Sequence, residues 1–206
     1  MKSVLLPIHL FPSIEYYAYL VQAKYCIFEG EDHYQKQTYR NRYTIYGSNG
    51  KLNLNIPIQH KTDSRYYKDT KISYDTDWQH LHIKSLKSAY QSSPFFEFYE
   101  DDIIPLFTSK ETYLMDFNIK SFILINDLIQ FDIKIEKTTE YLHQPELFDL
   151  RNHFNTKKES HQEFEPYIQV FSQKKEFIKN LSILDLLFNE GTNTLTYLKK
   201  HKIKNK

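Results

Sequence analysis

The chain has 206 residues, 27 basic against 26 acidic for a net charge of +1, and a single cysteine, Cys26. This balance excludes the broad electrostatic drive of a nucleic-acid binder, one thiol excludes an internal disulfide framework, and four glycines leave no G-x-G-x-x-G or P-loop for a Rossmann or Walker site. No apolar run approaches the ~20 residues that span a bilayer and Met1–Pro7 is no secretory signal, so the expectation is a soluble cytoplasmic protein without a transmembrane segment.

Residues 3–6 read as a short strand. Pro12-Ser13 then introduces a helix over about 14–23, with Ser13 as N-cap and Glu15 favourable in the first turn. Residues 25–29 form a second compact strand, so the chain opens β-loop-α-β, a unit that sets two parallel strands side by side. The loop from His9 to Ser13 and the segment beyond Glu29 then leave the same sheet edge, where ligands of α/β proteins commonly bind. Asn49-Gly50 separates two alternating runs, 42–46 and 52–58, and predicts a hairpin. A polar loop over 60–69 precedes a short strand at 71–74. Thr76 and Gln79 make a capping box for a helix from Asp77 to about Tyr90, whose Trp78, Leu81, Ser85, Leu86 and Ala89 share a face.

Ser92-Ser93-Pro94 ends that helix, the aromatic and acidic segment 95–102 follows, and Pro105 breaks the chain again. A longer helix runs over about 110–129 and a strand over 131–135. A polar, loop-rich region over 141–165 leads to a last strand at 167–171. Leu181, Ser182 and Leu186 form a hydrophobic staple around an N-cap, giving a short helix 183–189 that stops at Gly191. A final helix reaches about His201, and five lysines fall among the last eight residues. The pattern predicts a single α/β domain with a mixed sheet over residues 1–198. A frayed basic tail over 199–206 follows, the alternative reading being weak attraction to an anionic membrane surface.

Tyr34 to Arg42 concentrates three cations, Lys36, Arg40 and Arg42, beside two tyrosines, a donor set suited to a phosphate or carboxylate. The competing reading is a solvated turn whose cations pair with Glu29, Glu31 and Asp32. Tyr16, Tyr17, Tyr90 and Trp78 serve either as core aromatics or as sugar platforms. Asn189 and Glu190 end a helix with an acid that opposes its dipole, which makes them candidates for a second pocket wall. Cys26, inside an apolar strand, reads as inert packing. No histidine pair has H-x-x-x-H spacing, and Glu97, Glu100, Asp101 and Asp102 read as a solvated turn, so neither a metal nor a cofactor is expected. No nucleophile elbow surrounds any serine, which argues against a serine hydrolase.

The order of these segments resembles the WbqC-like protein family, a group associated with genes for bacterial O-antigen and other surface polysaccharides. The likeness rests on Phe11-Pro12-Ser13-Ile14-Glu15-Tyr16-Tyr17, Ile27-Phe28-Glu29, and Lys36 ahead of Asn41-Arg42. It continues through Asn55-Ile56-Pro57-Ile58, Trp78 with the helix to Tyr90, Ser93-Pro94-Phe95-Phe96-Glu97, and the stretch from Asn180 to Gly191, and so covers nearly the whole chain. Many members open with His-Gln-Pro before an aromatic-Leu-Pro-Trp sequence. Here Leu6-Pro7-Ile8 and Leu10-Phe11-Pro12-Ser13 stand instead, so the leading histidine is absent and His9 is out of register with it.

The resemblance implies a cytoplasmic transferase-like protein of O-antigen biosynthesis that binds an anionic activated sugar or an acyl or aminoacyl donor. In that reading Lys36, Arg40 and Arg42 hold the donor's anionic group, Asn41 orients it, and His9 or Glu29 is the acid/base partner. Tyr16, Tyr90, Asn189 and Glu190 complete the pocket, and Gln169 and Asn180 join them through the family pattern alone. The alternative is a non-catalytic accessory protein that binds a glycan precursor or another protein of the pathway. Nucleic acid is not an expected partner.

Overall fold

A computed structural model describes residues 3–59, 64–173 and 175–204. In chain order, β1 (Val4–Pro7) is buried throughout, α1 (Ile14–Gln22) follows, and β2 (Cys26–Glu29) runs parallel to β1 with Pro7 opposite Glu29. Every residue of α1 from Ile14 to Leu20 is buried, so this helix is a core element with no solvent stripe in its first two turns. β3 (Arg42–Gly47) and β4 (Gly50–Asn55) form the antiparallel hairpin, Gly50 entering β4 at φ +109°, a backbone angle that glycine adopts freely. Three helices come next, α2 (Trp78–Tyr90), α3 (Phe96–Thr108) and α4 (Leu114–Leu128). The two-residue β5 (Phe148–Asp149) pairs parallel with β1 on the side away from β2, and α5 (Ile183–Glu190) and α6 (Thr194–Lys200) follow it. Parallel and antiparallel pairing are thus both present, in the ladder β2-β1-β5 and in the β3-β4 hairpin, and the α/β class, the β-loop-α-β opening and the C-terminal helices are as the sequence predicts.

The two most buried short helices begin at one point. Ser13 Oγ caps α1 by accepting the Tyr16 N–H at 3.4 Å, and Ser182 Oγ caps α5 by accepting the Leu184 N–H at 3.3 Å. Ser13 and Ser182 form an antiparallel bridge, Ile14 N–H donates to Leu181 O at 2.9 Å, and Ile183 N–H donates to Pro12 O at 2.8 Å. Asp185 of α5 is buried, which pushes its carboxyl above the usual range. Its oxygens accept from the Tyr90 hydroxyl at 2.7 Å, the Gln169 amide at 2.9 Å and the Tyr167 hydroxyl.

Several elements differ from expectation. Asp77, not Thr76, caps α2 by accepting the His80 N–H at 3.4 Å, and the Gln79 amide donates instead to Phe107 O and Ser109 O at 2.7 and 2.8 Å. Residues 96–108 are helical straight through Pro105. Pro105 sits one turn from the end, so only the Asp101 carbonyl loses its donor. Burial of Phe96, Tyr99, Ile103, Leu106 and Phe107 on one face outweighs the ~3 kcal/mol that an interior proline costs. Residues 71–74 and 131–135 make no ladder: the first has single bridges at Lys71 and Ile72, and the second only leads to one bridge between Lys137 and Phe28. No strand forms at 167–171, where the Gln169 side chain substitutes for one by donating to Ile178 O and accepting from Ile178 N–H, both at 2.9 Å. The loop expected at 60–69 lies partly outside the described residues.

The tail is docked as far as Lys204, rather than frayed. The buried His201 ring stacks on Phe164 at 4.7 Å, the Gln22 amide donates to His201 O at 2.8 Å, and Lys204 N–H donates to the Gln162 side chain at 2.9 Å. Among the described residues no helix is long and apolar enough to cross a membrane.

Gly191 ends α5 at φ +54° and ψ −125°, and a Cβ built there would lie 2.6 Å from Phe95 Cδ1. Gly191→Ala is therefore expected to destabilise the fold by about 1–3 kcal/mol through backbone strain, with the ring clash adding to it. A urea-unfolding midpoint unchanged from the parent protein would show that α5 can end without this conformation.

Candidate functional site: a cleft beside the first turn of α1

Beyond β5 the chain turns back through residues 152–162 and leaves a cleft of about 500 Å³ against α1. This wall is tied down along its length. Thr156 Oγ1 donates to Gln37 O at 2.6 Å, Lys179 Nζ donates to Ser160 O at 3.0 Å, and the Gln162 amide donates to Lys204 O at 3.1 Å. Tyr19, Tyr39, Phe148 and Phe154 give the cleft aromatic surface, and Lys158, His161 and Lys204 bring charge and hydrogen-bonding capacity to it. A second groove of about 220 Å³ adjoins it, sharing Tyr39, Lys158, Ser160 and Asn180 and adding Lys51, Lys157 and Lys179. Among the described residues its carboxylate is Glu159, which also lines the first cleft and pairs with Lys51 at 3.4 Å, against the four lysines Lys51, Lys157, Lys158 and Lys179.

Polar side chains are organised most tightly at the mouth of α1. Glu15 Oε1 lies 3.1 Å from His153 Nε2, and Glu15 Oε2 accepts from the Asn180 amide at 3.1 Å. Asn180 Oδ1 in turn accepts the Glu15 N–H at 2.9 Å, so the asparagine clasps the glutamate through both backbone and side chain. The Glu15 side chain is 9% exposed while that of His153 is 34% exposed, which puts the carboxylate behind the imidazole as seen from solvent. Asn180 at φ +56° and Phe11 at φ +37° hold left-handed conformations on either side of the bridged Ser13 and Ser182 caps. Such strain costs about 1 kcal/mol or more per residue and persists where packing over-determines it.

The profile of the WbqC-like protein family matches residues 8–158. The chain belongs to this family. No curated protein and no solved structure matches it. The region of the WbqC-like match contains Glu15, Tyr39 and His153 but stops short of Asn180, which reaches the cleft from the later segment that bridges back to Ser13.

The residues singled out in this WbqC-like sequence are distributed differently from the expectation. Arg40 is 1% exposed and ion-paired with Asp32; its Nη1 donates to Thr38 Oγ1 at 3.3 Å, and its guanidinium lies 5.6 Å from the Tyr67 ring centroid. Its charge is committed inside the protein, the Asp32 pairing that the competing reading names. Asn41 is buried and its amide donates to Ile56 O at 2.9 Å. Lys36 is exposed, and Arg42 is half-buried with its Nε lacking a hydrogen-bond partner; neither lines the two grooves. The segment bears on the cleft through Tyr39, which lines it, and through Gln37, which anchors its wall.

His9 sits one layer behind the cleft, its ring 5.8 Å from Tyr39 and 6.0 Å from Phe154, and burial followed by the Arg40 charge holds its pKa well below the usual histidine value. Glu29 is 1% exposed and fully engaged. It accepts from Arg151 at 2.8 Å, Thr138 Oγ1 at 2.6 Å and Glu31 N–H at 3.0 Å, while Arg151 also pairs with Asp149 at 2.7 Å and lies 4.5 Å from the Tyr141 ring centroid. No oxygen of Glu29 faces the cleft, so its geometry is that of a sheet-edge brace.

Tyr16 and Tyr90 are buried, their hydroxyls donating to Pro7 O and Asp185 at 2.8 and 2.7 Å, and neither offers a face to a ligand. Asn189 donates to Asp185 O at 2.7 Å within α5, and Glu190 lines a separate open groove with Ile168 and Tyr197. The Cys26 thiol is buried and pushed up to about 11 by burial.

Sequence reasoning passed over Glu15 and His153 as site residues. Glu15 had a complete explanation as a first-turn acid, and His153 lies in a region without periodicity, 138 positions away. Glu15 and Asn180 both fall in stretches that carry the family likeness, whereas His153 falls in none.

Proposed function

We propose that this WbqC-like protein is a transferase-like component of bacterial surface-polysaccharide assembly that binds a phosphate-bearing sugar donor in the cleft beside α1. The observation that carries this reading is the pair of contiguous grooves, one aromatic and amide-rich, the other lined by lysines, that meet at Tyr39, Lys158 and Asn180. Aromatic faces suit the apolar side of a sugar ring, and ammonium groups suit a diphosphate as point charges. The family's association with O-antigen genes supports the pathway part of this reading.

Lys158 reaches both grooves, and Lys51 flanks the second. The Lys51→Ala/Lys158→Ala double variant is expected to weaken binding of UDP-glucose or another nucleotide sugar about tenfold, or ~1.4 kcal/mol, by titration calorimetry at low salt. Lys36→Ala, which touches neither groove, should leave the affinity unchanged. Equal loss in both variants would move the donor site to the Tyr34–Arg42 segment, and absence of binding by the wild-type chain to any nucleotide sugar in a uridine, guanosine and cytidine panel would end this reading.

A further inference from the structure

We propose that His153, positioned by Glu15, is the acid/base group of the cleft. This rests on the reading of the cleft as a sugar-donor site and adds the residue that would move the proton. Glu15 accepts at Oε1 from His153 Nε2 at 3.1 Å, which fixes the imidazole as the Nε2–H tautomer and leaves the Nδ1 lone pair as the proton acceptor. Nδ1 has no protein partner among the described residues, and His153 lines the cleft. The carboxylate cannot swing away. Asn180 holds its second oxygen at 3.1 Å and its backbone N–H at 2.9 Å, and the ring itself packs edge-on at 5.0 Å from both Tyr19 and Phe154.

A base oriented by a third group is the arrangement that activates hydroxyl nucleophiles. The ordinary alternative is a surface ion pair worth under ~1 kcal/mol. Two features distinguish the pair from that case: a carboxylate only 9% exposed, and its clasp by an asparagine in a left-handed conformation.

The step balances as a direct transfer. An acceptor hydroxyl gives its proton to His153 Nδ1 as its oxygen forms a bond to the donor sugar's anomeric carbon. The bond from that carbon to the phosphate oxygen breaks, and the nucleoside diphosphate leaves with the electron pair beside the lysines of the second groove. The Glu15 carboxylate stabilises the imidazolium so formed, as a carboxylate does in a triad.

The test uses the full chain and two readouts, binding of UDP-glucose by calorimetry and release of UDP from it with water or free amino sugars as acceptor. His153→Gln can still donate an N–H to Glu15 but cannot take the proton, so it is expected to retain binding and thermal stability while UDP release falls at least ~100-fold. Glu15→Gln should lower release with binding kept, and a nitrogen-15 NMR spectrum of the wild-type His153 ring should report the Nε2–H tautomer. UDP release by His153→Gln within threefold of wild type would overturn the proposal while leaving the donor site intact. Wild-type chain that binds UDP-glucose but releases no UDP under any acceptor would also overturn it, and would favour an accessory binding protein. Failure of the wild-type chain to bind any nucleotide sugar removes the donor site and this assignment together.

Discussion

Arg40→Ala is expected to lower the unfolding free energy by about 3–5 kcal/mol, the range for removing one partner of a buried ion pair. Arg40 and Asp32 are both buried, so the truncation strands the Asp32 carboxylate in a site that cannot hydrate it. The damage extends further. Tyr67 lies under the guanidinium, its N–H donates to Asp32 O at 2.8 Å, and Asn118 joins the same set by donating to Arg40 O at 2.7 Å and to the Tyr67 hydroxyl. Arg40→Met/Asp32→Leu removes both charges and should recover much of the loss, because an apolar pair of similar volume is often as stable as a buried ion pair. Urea unfolding of the three proteins measures this directly. A cost below ~1 kcal/mol for the single variant, typical of exposed pairs, would mean that Arg40 is hydrated and free to serve a ligand.

Acid should destabilise the protein as the pH falls below ~6.5. His82 is fully buried in α2, with Nε2 3.1 Å from Asn55 O and Nδ1 3.2 Å from the Tyr43 hydroxyl, an arrangement for the neutral ring. Burial lowers its pKa to about 4, and burial also lowers those of His9 and His201. Because the folded pKa is depressed, the unfolded chain takes up protons first as the pH falls below ~6.5, so stability drops between ~6.5 and about 4. His82 alone accounts for roughly 3 kcal/mol of that drop. Asp185 acts in the opposite sense: its raised carboxyl pKa adds stability as the pH falls through the folded value. Urea midpoints taken at half-unit intervals from pH 7 to pH 4 should therefore decline, and His82→Met should flatten the decline. A profile level down to pH 4.5 would contradict neutral burial of these rings.

The elements that carry strong local signals are those the sequence announces. Ser13 and Ser182 precede apolar runs and cap α1 and α5, Asn49-Gly50 marks the hairpin, whose turn residues are Ser48 and Asn49 with Gly50 already paired to Gly47, and Gly191 terminates α5 at positive φ. Where long-range packing decides, local signals mislead. Pro105 stays helical because five neighbours on its helix bury against the core, and the alternation of Phe131, Ile133 and Ile135 produces no ladder because its flank meets β2 through one bridge.

The site follows the same division. Three cations in Tyr34–Arg42 are conspicuous in sequence, yet Arg40 is consumed by Asp32 eight residues away, the pairing that the competing sequence reading names, though buried rather than solvated. Glu15, His153 and Asn180 come from three distant segments, and only the bridge between the two helix caps and the fold-back of 152–162 bring them together. Of the parts that matter in the cleft, the sequence exposes the Phe11–Glu15 and Asn180–Ser182 motifs but not the reason they belong to one place.

Ligand is expected to bind where those motifs meet. Chemical-shift mapping of the nitrogen-15-labelled chain titrated with UDP-glucose tests it most directly. Shifts centred on Glu15, Tyr39, His153, Lys158 and Asn180 are the expected result. Shifts centred instead on Lys36 and Arg42, or on the groove of Ile168 and Glu190, would contradict it.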